Sequence, residues 1–280
     1  MMTYKQIINK SIKACDSAGV YSGFARFLMV ELLREKDMEL YDVLDEVCDP
    51  DIAKDYEAKM ARILNDEPMG YVLGYSWFYN YKIMVNENVL IPREETEELV
   101  GEILMAIDER YYNPVIIDVA TGSGAIAIAL ASEVLSTVYA TDISKEALEV
   151  AQENAHINNA RVTFYEGDML EPAIEQGLEV DVLVCNPPYI KNTEHIQHSV
   201  LTHEPHVALF GGEDGLYFYR KVFENAHKMI KPNGMMAFEI GFDIGEAVCN
   251  LAKESFPNAQ VELKQDLNGL DRMVFVFLGV

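Results

Sequence analysis

A chain of 280 residues can bury one large core and a smaller one. Half of its residues are apolar, yet no uninterrupted apolar run approaches the roughly 18 to 20 residues of a membrane span, and the first residues hold no apolar signal segment. A cytoplasmic protein with no membrane contact is therefore expected. The 22 Lys and Arg against 46 Asp and Glu give a net charge of −24, which repels a phosphate backbone, so direct nucleic-acid binding is not expected and a basic protein partner suits the charge better.

The first part of the chain carries helical signals. Thr3 and Gln6 have capping-box spacing ahead of Ile7, Ile8 and Ile12, which predicts a helix over about 3–18. Ser22 is placed to cap a second helix carrying Phe24, Phe27, Leu28 and Leu32, and Leu40, Leu44 and Val47 suggest a third. Asp49-Pro50 opens a fourth, whose residues Ile52, Tyr56, Met60 and Ile63 share one face. Residues 65–74, with Pro68, Gly70 and Gly74, read as a linker, and residues 75–79 and 82–85 as a hairpin around Asn80. The aromatic run Trp77, Phe78, Tyr79 and Tyr81 fits a hairpin packed on a sheet better than a stacking surface. Acidic residues from Glu94 on favour the start of a helix running to about 109.

Strands are then predicted over 115–119, 137–140, 162–165, 180–185 and 235–240, with helices over 123–133, 144–158, 216–230 and 244–255 between them. This alternation describes a doubly wound parallel α/β sheet. Residues 260–264 and 273–278 read as two strands with no room for a helix between them, so the last is expected to pair antiparallel. That is the mark of a seven-stranded, Rossmann-like methyltransferase sheet. Cys15, Cys48, Cys185 and Cys249 contain no CxxC pair and read as reduced, packed thiols.

Two loops carry the chemistry. Asp118-Val119-Ala120-Thr121-Gly122-Ser123-Gly124 leads from the first sheet strand into its helix, with glycines where backbone must approach a ligand closely. Asp142, twenty residues beyond Gly122, can accept both hydroxyls of a ribose. Gly122, Gly124 and Ala127 also meet the loose dinucleotide pattern, so NAD is an alternative. Asp168-Met169, which can accept from an adenine amino group, tips the choice to S-adenosylmethionine. The second loop, Asn186-Pro187-Pro188-Tyr189, emerges from the apolar strand 180–185, where such sheets bind ligands. The prolines remove two backbone donors and leave acceptors, Asn186 adds a side-chain carbonyl and Tyr189 a flat ring, a cradle for a planar NH2 group. No general base is legible beside it.

These motifs resemble the protein-glutamine N5-methyltransferases of the HemK/PrmC type, which methylate the glutamine of the Gly-Gly-Gln motif in peptide chain release factors. The likeness spans nearly the whole chain. It includes Glu67-Pro68 with Tyr71 and Gly74, then Leu90-Ile91-Pro92-Arg93 with Thr96-Glu97, Glu204-Pro205 with Ala208-Leu209, residues 211–216, Glu239-Ile240-Gly241, and Asp266-Leu267 with Gly269 and Asp271-Arg272. The resemblance implies that Ala120, Thr121, Gly122, Ser123 and Gly124 hold the methionine part of S-adenosylmethionine, Asp142 the ribose, and Asp168 and Met169 the adenine. It also implies that Asn186, Pro187, Pro188 and Tyr189 hold the glutamine. Asn186, Pro187 and Tyr189 then form the catalytic set of a monomeric enzyme needing no metal, and Asn186 also faces the cofactor.

On this reading residues 1–66 are a helical release-factor-binding domain, 67–92 a linker and hairpin, and 93–280 the methyltransferase domain. Two positions depart from the family pattern: Glu94 stands where a proline is expected and Ile244 where a glutamine often occurs. His195, His198, His203 and His206 suggest zinc, but with no cysteine among them a polar, substrate-facing loop is the expectation. Arg93 and Glu97 are candidates to line the pocket. The alternatives are methylation of a ribosomal-protein glutamine, of adenine N6 in nucleic acid, or a cofactor-binding scaffold without catalysis.

Overall fold

The computed structural model describes residues 2–279. In chain order its elements begin with the helices α1 (Tyr4–Ala18), α2 (Gly23–Arg34), α3 (Leu40–Val43), α4 (Pro50–Leu64) and α5 (Met69–Leu73), then a hairpin of β1 (Tyr75–Phe78) and β2 (Tyr81–Met84). There follow α6 (Glu94–Arg110), β3 (Val115–Val119), α7 (Ala125–Glu133), β4 (Thr137–Asp142), α8 (Lys145–Ile157), β5 (Val162–Glu166), α9 (Glu171–Glu175) and β6 (Val180–Cys185). The remainder is α10 (His198–His203), α11 (Tyr217–Ala226), β7 (Ile230–Glu239), α12 (Gly245–Ser255), β8 (Gln260–Gln265) and β9 (Asp271–Phe277).

Contacts divide the chain into two units, one running through Gly74 with Gln197–His203 added, the other holding Tyr75–Ile196 and the chain from Glu204 on. In the first, α1 starts on the capping box of Thr3 and Gln6 and ends at Gly19, whose φ of 71° lets the chain turn out of the helix. The apolar faces of α1, α2 and α4 close over Leu28, Met29, Leu33 and Tyr56. The Tyr56 hydroxyl donates to the Ala25 carbonyl at 2.9 Å, so burying that ring strands no polar atom.

Three local expectations change. The third helix is one turn, because the carbonyls of Leu44 and Glu46 accept from Lys5 and Tyr4 and so satisfy the open donors of α1. Ser22 makes no side-chain cap; the Tyr21 carbonyl closes that turn. The expected linker 65–74 contains α5, which follows Pro68 and is stopped by Gly74 with φ 82°.

The second unit holds a seven-stranded sheet in the order β5-β4-β3-β6-β7-β9-β8. Its first five strands pair in parallel, and β9 runs antiparallel between β7 and β8, as the spacing of the last two strands requires. The central strands are buried on both faces, which accounts for their continuous Val, Ile and Leu content. The helix expected over 216–230 stops at Ala226, and Ile230 joins the next strand. Pro232 biases the preceding backbone to extended form and pulls β7 forward. Tyr79 and Asn80 turn the hairpin with φ of 51° and 69°, so β1 stops one residue before its expected end and β2 runs one residue earlier than expected. Among the described residues no helix is long and apolar enough to cross a membrane.

Candidate active site

The parallel strands end on one edge of the sheet, and their loops enclose a cavity of about 310 Å³ lined wholly by residues from Asn88 onward. Its lining includes Ala120, Thr121, Gly122 and Ser123, with Asp142, Asp168 and Met169, and also Asn186, Pro188, Arg93 and Thr96.

The loop after β3 is built locally. Gly122 (φ 54°) and Gly124 (φ 81°) take left-handed backbone, and so does Ala120 (φ 60°), where a side chain is strained. A Cβ on Gly122 would meet nothing within 4 Å, whereas one on Gly124 would sit 3.1 Å from the Cβ of Ala151. The first glycine therefore serves the turn and the cavity, and the second lets α7 and α8 approach. Asp118 beneath the loop is fully buried; its Oδ2 accepts from Thr121 Oγ1 (2.5 Å) and the Ala127 amide (3.2 Å), while its Oδ1 has no partner among the described residues. Burial pushes its carboxyl up to about 7 against those two donors.

Asp142 ends β4 with each oxygen already holding one backbone amide, Gly122 at 2.8 Å and Ser144 at 2.9 Å. Burial nonetheless raises its pKa. Each oxygen keeps a second lone pair, so the side chain is oriented without being saturated. Asp168 is ion-paired with Lys221, which also reaches Glu171 at 3.6 Å. Lys221 carries no signal in the sequence, since nothing local links residues 53 apart.

The tetrapeptide divides. Asn186 and Pro188 line the cavity, Pro187 is buried, and the Tyr189 hydroxyl turns inward to donate to Glu239 Oε1 at 3.3 Å. Burial raises the Tyr189 pKa, and the Glu239 charge beside it adds to the effect. The glycines of 211–215 hold this loop from behind. A Cβ on Gly211 would lie 2.5 Å from the Pro188 carbonyl oxygen, and one on Gly215 would lie 2.5 Å from that of Tyr189. Strand-like bonds complete the clasp, from Ile190 N to the Leu209 carbonyl (3.0 Å) and from Gly211 N to the Ile190 carbonyl (2.9 Å).

Arg93 lines the cavity and is ion-paired with buried Glu204, which also accepts from the Ile91 amide at 3.4 Å. The Glu97 carboxylate turns away to the Tyr79 amide. Glu94 merely opens α6, and Ile244 packs in the core. Of the four histidines, His198 Nδ1 lies 2.9 Å from Asp66 Oδ2 and His206 sets its edge against Phe210. Among the described residues no three His, Cys, Asp or Glu are placed to hold one metal ion.

Over residues 112–268 the chain matches the family model of a methyltransferase domain. It is similar to the release factor glutamine methyltransferase of Bacillus anthracis, 46% identical over 213 residues that cover 74% of this chain and 75% of that one. The enzyme of the same name from Staphylococcus aureus is 32% identical over 277 residues, 98% of this chain and 99% of its own. Among solved structures, a methyltransferase from Pyrococcus furiosus aligns with a TM-score of 0.53 at 20% identity, over 80% of this chain and 100% of that one, which shows a shared fold. With full-length similarity of this order and the methyltransferase model across the cavity-bearing sheet, the chain belongs to the release factor glutamine methyltransferase family.

Proposed function

We propose that the chain transfers a methyl group from S-adenosylmethionine to the side-chain amide nitrogen of the glutamine in the Gly-Gly-Gln motif of peptide chain release factors, modulating translation termination. The observation that carries the reading is that Asp142 and Asn186 line one and the same cavity, in a chain of this family.

The residues around the cavity suit the cofactor. Asp142 and Asp168 line it, and Asp118 lies behind its loop with an acceptor unused. The lone pairs left on Asp142 and Asp168 suit ribose hydroxyls and an amino group, and the carboxylate of Asp142 disfavours the pyrophosphate of a dinucleotide. Asp142 would hold the ribose, Asp168 and Met169 the adenine, and residues 120–124 the methionine part. When bound, S-adenosylmethionine supplies a methyl group on a positively charged sulfur.

The chain's own residues must then make a poor nucleophile competent, because the lone pair of a glutamine amide is delocalised. The Asn186 Oδ1 and the Pro187 carbonyl accept its two hydrogens, which localises the lone pair and fixes its direction. No group among the described residues already donates to that carbonyl. As the nitrogen becomes positive these bonds strengthen, a stabilisation larger in the transition state than in the ground state, and once the methyl is bonded the nitrogen releases one of the two hydrogens as a proton to water, leaving a neutral N-methyl amide. Pro188 walls the cavity, and Tyr189, outside that lining, would back the amide plane from behind with its hydroxyl held by Glu239.

Residues 1–66 carry release-factor docking in this reading, 67–92 link and brace, and 93–280 perform the chemistry; every cavity residue lies beyond Gly74. Because release factors act on ribosomes, the enzyme belongs in the cytoplasm, as a monomer without direct nucleic-acid contact. Mass spectrometry of a release factor incubated with S-adenosylmethionine and the chain should find one methyl on the Gly-Gly-Gln glutamine. A methyl on a ribosomal-protein glutamine or on adenine instead would overturn the substrate. Hydrogen exchange of the full chain with and without the factor should show protection in α1, α2 or α4, and its absence there would reject the docking role.

A further inference from the structure

An amide side chain has an accepting and a donating end, and its surroundings decide which one faces a substrate. At Asn186 that decision traces back to a carboxylate. Glu239, the last residue of β7, is 2% exposed; its Oε2 accepts from Thr96 Oγ1 at 2.5 Å and its Oε1 from the Tyr189 hydroxyl at 3.3 Å. An ionised carboxylate can only accept, so the Thr96 proton must point at Glu239. The Thr96 oxygen then has only lone pairs to offer Asn186, whose Nδ2 lies 3.3 Å away. Asn186 must therefore turn its amide nitrogen to Thr96 and leave Oδ1 for the cavity. Among the described residues no group donates to that oxygen.

We propose that Glu239 and Thr96 form a hydrogen-bond relay that fixes the amide orientation of Asn186, and are positioning residues for the acceptor nitrogen. The inference rests on the functional reading above, in which Asn186 Oδ1 accepts from the glutamine amide. A hydrogen bond reversed there would set donor against donor.

The relay has a direction in pH. Burial raises the Glu239 pKa and the nearby Glu95 charge adds to this, while Thr96, Arg272 and Tyr189 pull it down; the Tyr219 hydroxyl donates to the Glu239 backbone carbonyl at 2.7 Å. Once protonated, Glu239 can donate to Thr96, whose hydroxyl then donates towards Asn186 and favours the flipped amide. Turnover should therefore fall on the acid side.

The test compares kcat, KM and pH profiles for release-factor methylation by wild type, Thr96→Val and Thr96→Ser, with cofactor affinity from calorimetry. Thr96→Val should lower kcat by roughly tenfold to a hundredfold with KM and cofactor affinity retained, and should lose the acid limb. Thr96→Ser should restore both. Equal impairment of the two variants, wild-type kcat in Thr96→Val, or an acid limb that persists in it would overturn the relay. Should the valine variant not fold, Glu239→Gln removes the titrating proton at constant volume, and an acid limb surviving there is equally fatal. A wild-type chain that puts no methyl on the glutamine overturns the functional reading and the relay with it, whereas an active wild type matched by Thr96→Val overturns the relay alone.

Discussion

The two sides of the cavity are built on different scales. On the cofactor side the bonds that shape the glycine loop are short in sequence, only the Asp168 to Lys221 pair reaching across 53 residues: Thr121 to Asp118 spans 3 residues, Gly122 to Asp142 spans 20, and the turn rests on left-handed backbone at residues 120, 122 and 124. On the acceptor side they are long: Asn186 reaches Thr96 across 90 residues, Arg93 reaches Glu204 across 111, and Thr96 reaches Glu239 across 143. A loop held by its own turns keeps its shape once its strand and helix form. A loop held by distant partners has its shape only when the whole sheet is assembled, so changes on that side should propagate to chemistry more than to ligand affinity.

The largest expected effect tests the acceptor side directly. Asn186→Ala should lower turnover by about a hundredfold or more, as loss of a preorganised polar partner does, with cofactor affinity largely kept in calorimetry. Loss of cofactor binding instead would dissolve the distinction between the two sides. Next comes Asp142→Ala, which should weaken cofactor binding about tenfold or more, since a hydrogen bond to a charged group is worth roughly 1.5 to 3 kcal/mol. Unchanged affinity would remove Asp142 from the ribose and reopen the dinucleotide alternative.

The two smallest effects have opposite signs. Gly211→Ala places a Cβ 2.5 Å from the Pro188 carbonyl oxygen. It should cost roughly 1 to 3 kcal/mol of stability in urea titration, and it should reduce turnover by displacing the tetrapeptide. A neutral result would mean the clasp gives way freely. Ala120→Gly removes a side chain from φ 60° and should raise stability by at most about 1 kcal/mol, because the relief of strain is partly offset by unfolded-chain entropy. A destabilised glycine variant would show that the left-handed turn is held by more than its own backbone.

Much of this was open to reading from the residues alone, because it is local. The doubly wound sheet, the antiparallel last strand, the helix starts at Thr3 and Asp49, and the turns at Gly122 and Gly124 all follow from periodicity, caps and glycines acting within about twenty residues. The elements that differed did so where a distant or neighbouring segment took over the backbone. Residues 44 and 46 gave their carbonyls to α1, and Pro232 drew Ile230 into β7. What the tertiary structure alone decided is which end of an amide faces the cavity, which acid Lys221 pairs with, and why residues 211–215 must be so rich in glycine. Sequence spacing carries information about groups that meet through one turn or one strand. Groups 90 to 143 residues apart meet only when the sheet brings its strand ends together, and their hydrogen-bond directions are then set by the buried carboxylate that cannot donate.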